Sequence, residues 1–179
     1  MDKGDFDQAI ADFTKAIEFD PNYAVAFYYR GRAYSEMGNL DQAIADYSKA
    51  IELAPENASP YLDRAIDYYQ QGESDKAYTD YTKAIELGLD SAAQLAKAYM
   101  NRGIISADRG DLDQAIADYT KAIELDPKNV DRYYNRGLAY RQKGLKKQAI
   151  ADFEMYLQLA PDAPDRAQVE QWISELKGK

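Results

Sequence analysis

The chain has 179 residues, 46% hydrophobic, with 10 Gly and 6 Pro, a composition that excludes a disordered tail and has apolar material for a folded core. It holds no Cys and no His, which removes disulfides, thiol nucleophiles, imidazole bases and the usual zinc ligands together. The formal charge of −9 argues against nucleic acid, which needs clustered Lys and Arg, and no apolar run approaches the roughly 18 residues of a membrane span.

Residues 5–20, DFDQAIADFTKAIEFD, predict one amphipathic helix. Ala9, Ile10, Phe13, Ala16 and Ile17 recur at helical spacing, and Asp20-Pro21 stops the run. Each such Phe or Ile is worth roughly 1.5–3 kcal/mol when buried, so this face predicts a covering contact. The chain opens in mid-period, and Met1 reads as a boundary inside a longer gene product whose leader, if any, lies outside it. The protein is read as soluble and cytoplasmic, although no residue decides the compartment.

From Ala24 a pair of helices follows: FYYRGRAYSEMG from Phe27, a turn at Gly38-Asn39, then NLDQAIADYSKAIELAP to Pro55. The next pair carries YLDRAIDYYQQG from Tyr61 and ESDKAYTDYTKAIELGL from Glu73, ending at Gly88 as a C-cap. Asp90 or Ser91 then starts a helix of about Ser91 to Arg109, with Ser91 and Gln94 spaced as in a capping box. DLDQAIADYTKAIELDP from Asp111 is the second helix of that pair, and YYNRGLAYRQKG from Tyr133 with LKKQAIADFEMYLQLAP from Leu145 forms the last. Asp162 or Asp165 caps a final helix of about Pro164 to Lys177, whose apolar edge is Val169, Trp172, Ile173 and Leu176.

The second helices repeat at measurable steps. Ala9 to Ala43 to Ala77 gives 34 and 34, Ala77 to Ala115 gives 38, and Ala115 to Ala149 gives 34. The four extra residues are close to one turn of 3.6, so they lengthen the helix after Ser91 without much rotating its face. Phe27, Gly31, Tyr34, Ala43, Tyr47, Ala50 and Pro55 mark the period, and a two-helix unit with these offsets resembles the tetratricopeptide repeat. Three positions depart from it: Ala65 for the Gly, Ser106 for the second aromatic and Tyr156 for the last Ala. The resemblance implies an all-α, right-handed superhelical solenoid of antiparallel helix pairs. It would comprise a half repeat at 5–23, full repeats at 24–57, 58–95, 96–129 and 130–163, and a C-terminal capping helix at 164–177.

Charge follows the period too. The second helices and their turns carry −14 and the first helices +5. Asp12, Asp46, Asp80, Asp118 and Asp152 recur once per repeat, so they share one environment, the opposite of what a general acid and its base require. Arg30, Arg64, Arg102 and Arg136 recur likewise, and a ladder of Arg-to-Asp pairs between helices is expected. No enzyme, cofactor or metal is expected.

In the family it resembles, the first helices line a concave groove that holds a peptide or helix of another protein. The matching positions here are Tyr28, Tyr29, Arg32, Leu62, Asp63, Ile66, Tyr69, Lys97, Met100, Asn101, Ile104, Tyr134, Asn135, Leu138 and Arg141. The clamp of Lys and Asn with which one subclass grips a C-terminal carboxylate is absent, since Asp63 and Asp131 would repel that group. The expectation is therefore an interaction scaffold binding mostly by apolar contact, with no nucleic acid and no membrane as partner. The alternatives are a homo-oligomer joined through residues 5–20 and the targeting segment of a larger enzyme.

Overall fold

The computed structural model describes residues 3–178, and among these are ten helices and no strand. They fall into two compact units, Met1–Leu89 and Asp90–Lys179. The first holds α1 (Lys3–Phe19), α2 (Ala24–Glu36), α3 (Leu40–Leu53), α4 (Ala58–Gln70) and α5 (Ser74–Leu87). The second holds α6 (Ala92–Asp108), α7 (Leu112–Leu125), α8 (Val130–Gln142), α9 (Lys146–Leu159) and α10 (Arg166–Lys177). Within each unit every helix packs on the next, and the first helices also meet directly, α2 with α4 and α6 with α8. Each unit is thus a stack of helix pairs, as the alternation of the two sequence segments predicts.

What makes a pair close is a small residue facing an aromatic ring. Tyr47, Tyr81, Tyr119 and Phe153 are all buried, each one turn after a fully buried Ala of its own helix. A Cβ built on Gly31, Gly103 or Gly137 would stand 2.8 Å from the ring carbon Cε1 of Tyr47, Tyr119 or Phe153, closer than carbon atoms approach. In α4 the corresponding residue is Ala65, buried like its partner Tyr81.

The helix ends also follow from residue type. Gly38 has φ +78°, its N–H donates to Ser35 O and the N–H of Asn39 donates to Tyr34 O, so two orphan carbonyls are satisfied by a left-handed turn. The same pair of bonds closes α4, α6 and α8. Second helices stop differently: Ala54, Asp126 and Ala160 leave helical geometry before Pro55, Pro127 and Pro161. α5 has no such proline, and Gly88 at φ +83°, ψ 133° ends it instead.

Of 17 residues in α6 against 13 in α2, the surplus is the expected extra turn. Its cap is Ser91, whose side chain accepts from the N–H of Ala93. At α10 the expectation needs correcting, because helix starts at Arg166 and Asp165 makes no side-chain cap bond. Its carboxylate is taken by Tyr156, whose hydroxyl donates to Asp165 Oδ1 at 2.6 Å. A Tyr where the other second helices carry Ala thus ties α9 to the start of α10.

Candidate functional site

The ladder of arginines and aspartates is present rung by rung. Arg30, Arg64, Arg102 and Arg136 each donate from Nε and Nη2 to both oxygens of Asp46, Asp80, Asp118 and Asp152, at 2.7–2.9 Å. The bidentate fork is the geometry guanidinium and carboxylate prefer. Hydrogen bonding to the partner carboxylate raises the pKa of Arg30 and Arg136 further above its ordinary value.

Each of three arginines reaches a third helix as well. Nη1 of Arg30, Arg64 and Arg136 donates to Thr14, Ser48 and Thr120, whose hydroxyls donate in turn to carbonyls four residues back. Sequence reading missed these hydroxyls, although each stands 16 residues before its arginine. In α9 the corresponding residue is Glu154, which takes Lys177 of α10. Arg132, also missed, is buried and donates to the carbonyls of Ala122 and Asp126 at the end of α7. Four of the five repeated carboxylates are therefore structural ties, whereas Asp12, expected to share their environment, is exposed and accepts from Gln8 of its own helix. Among the described residues no cluster of three or more His, Cys, Asp or Glu is placed to hold a metal ion.

With the ladder spent on structure, the first-helix faces remain. In the first unit the Tyr28 hydroxyl donates to Asp63 Oδ2 at 2.9 Å, linking α2 to α4, and burial raises the pKa of that phenol. Arg32 stands 3.8 Å from the same carboxylate and lies over the rings of Tyr28 and Tyr29, each 5.9 Å away. Tyr29 is 43% exposed with one face stacked on Phe13, and Tyr69 is 38% exposed. Ile66 is half-buried. Leu62 is 2% exposed, so it belongs to the packing and not to the open face.

In the second unit the same positions are more occupied. Lys97 is exposed and Asn101 half-buried, while Met100 and Ile104 lie partly buried against Ala115, Tyr119 and Ala139. The Asn135 amide donates to Asp131 O in its own helix rather than standing ready for a ligand. Tyr134 and Leu138 pack against the core that contains Val169, and Trp172 of α10 lies 6.3 Å from the Tyr134 ring. Arg141 is drawn to α10 as well, 4.7 Å over Trp172 with Glu175 at 3.9 Å. The capping helix thus engages three residues expected to face a partner. Among the described residues no helix is long and apolar enough to cross a membrane.

Comparison with known proteins agrees with this architecture. A TPR repeat model matches residues 1–38 and 103–144, and a tetratricopeptide repeat model matches residues 24–57 and 130–163. Two stretches are left unmatched, 58–102, which contains Ala65 and the four-residue insertion, and 164–179, which contains α10. The fold is similar to a crystal structure of MamA at 30% identity, with 89% of this chain and 91% of that chain covered and a TM-score of 0.79. It is also similar to MamA from Desulfovibrio magneticus RS-1 (18% identity, 90% and 89% covered, TM-score 0.77). PilW, a type IV pilus biogenesis factor, shares the fold at 19% identity, with 98% and 80% covered and a TM-score of 0.74. No curated protein matches the chain in sequence.

Proposed function

Because this chain belongs to the tetratricopeptide repeat family, we propose that it is a non-enzymatic interaction module that binds a peptide segment or helix of another protein on its first-helix faces. The observation that carries the reading is the wall of α2 and α4, where Tyr29 and Tyr69 stand 43% and 38% exposed beside Tyr28, Arg32 and Ile66. Exposed tyrosines on rigid helices give contact area at small entropic cost and can hydrogen-bond a peptide backbone. On the second unit, taken by itself, the first-helix face carries Lys97, Met100, Asn101 and Ile104, and α10 covers part of it. Nucleic acid is not the proposed partner, given the −9 charge.

A peptide selected from a displayed library on the full chain provides the test. Replacing Tyr29 and Tyr69 together with Ala should weaken its binding by about 10- to 100-fold, from roughly 1 kcal/mol or more per truncated anchor. Fluorescence anisotropy reads the affinity. Unchanged binding by a folded double variant would place the interaction elsewhere.

Self-assembly through α1 is a second reading, favoured by one comparison within the chain. Ala43, Tyr47 and Ala50 are buried in α3, whereas Ala9, Phe13 and Ala16 at the same places in α1 are half-buried. α1 is not bare, since it packs on α2 and Phe13 stacks on Tyr29. Yet among the described residues α1 packs on α2 alone, and Phe19 at its end is 94% exposed. Light scattering over a concentration series should then give a rising mass, and a constant monomer mass at high concentration would remove the reading.

A further inference from the structure

At the tenth place of its repeat, where the repeats starting at residues 24, 96 and 130 carry the buried Ala33, Ile105 and Ala139, α4 carries Asp67. The residue is 0% exposed. Its Oδ1 accepts from the Ser35 hydroxyl of α2 at 2.8 Å, and Oδ2 has no hydrogen-bond partner. The charged groups that face it are both acids, Glu36 from α2 and Asp63 from its own helix. From α3 comes Tyr47, whose phenol is pushed up first by burial and then by the charges of Asp63 and Asp67. Nothing in this arrangement compensates an ionised carboxylate as Arg64 compensates Asp80.

We infer that the contact between α2 and α4 is a proton-responsive joint, in which Asp67 takes up a proton and the two helices hold together more firmly in its neutral form. Burying a charge without a counter-ion is costly, whereas the neutral acid needs only ordinary hydrogen bonds and turns one oxygen into a donor. Burial pushes the Asp67 carboxyl up to about 6; the Ser35 bond pulls against this, and Asp63 and Glu36 push with it. The sign follows from linkage. The folded value lies above the ordinary 3.8, so the stabilising contribution is complete below 3.8 and is lost as pH rises through about 6. The joint shares α2 and α4 with the proposed binding wall, but it responds to protons whether or not that wall holds a peptide.

Carboxyl NMR on the full chain, with the Asp67 signal assigned by its loss in Asp67→Asn, tests this directly. The signal should titrate near pH 6, and titration near pH 4 would overturn the joint. In urea, the unfolding equilibrium constant of the wild type should rise roughly tenfold more than that of Asp67→Asn between pH 5 and pH 8. Parallel profiles would overturn it equally. If Asp67→Asn does not fold, Ser35→Ala serves: losing the bond that opposes the shift should move the midpoint to higher pH, and an unmoved midpoint counts against the joint.

Discussion

Replacing Asp118 with Ala is expected to destabilise the unit that holds α6–α10 by about 3–5 kcal/mol, the cost of leaving a buried guanidinium without its counter-ion. The choice of rung matters. Arg102 and Asp118 are the least exposed pair of the ladder, with side chains 12% and 2% accessible, and Gln114 adds a third donor to the same carboxylate. An exposed pair behaves differently: removing Glu52, which meets Lys49 with side chains 68% and 37% accessible, should change nothing measurable. Two forces are being separated here. If attraction between the charges were the main term, removing both partners would cost as much as removing one. Because the desolvation penalty is what remains after one is lost, Arg102→Met with Asp118→Leu should recover most of the deficit. Urea unfolding reads all three variants. A loss below 1 kcal/mol for Asp118→Ala would mean that water reaches Arg102, and that the ladder is not the tie described.

Phe153→Ala should cost about as much, 3–5 kcal/mol, for an unrelated reason. The ring is 0% exposed and lies 5.5 Å from Trp172 and 6.4 Å from Tyr134. It also fills the space that Gly137 leaves open. Truncation removes its transfer free energy and opens a void among α8, α9 and α10, whose backbones are held by their own hydrogen bonds and can collapse only in part. The variant reports on itself, since Trp172 is the single Trp of the chain. Its emission should shift to the red as water enters, and amide exchange in α10 should quicken. Unchanged emission together with a loss under 1.5 kcal/mol would show that α10 is not seated on this ring.

The first prediction rests on residues that the sequence already singles out. The Arg and Asp series stand out because each recurs with the repeat, and a residue that recurs with its partner at a constant separation meets it in every copy. Helix bounds were legible for the same kind of reason. Capping, the proline stops and the left-handed glycines act within a few residues, so a local pattern contains them. The long α6 followed from counting alone.

The open face of the first helices was less legible. Leu62 occupies a position that the repeat assigns to the surface, yet it is buried; Tyr134, Leu138 and Arg141 are engaged by a helix some thirty residues further on. The Asn135 amide turned back to its own helix. Asp165, expected as a cap, is occupied by Tyr156 instead.

By itself, then, the sequence determined the helix pairs, their period and the ion pairs that join them, because those depend on short-range geometry copied from one repeat to the next. The tertiary structure alone decided which of the repeated positions stay open to a partner, where α10 settles, and that Asp67 lies buried without a cation. These outcomes depend on which distant side chain fills a shared space, and a periodic pattern is silent wherever one copy differs from the others.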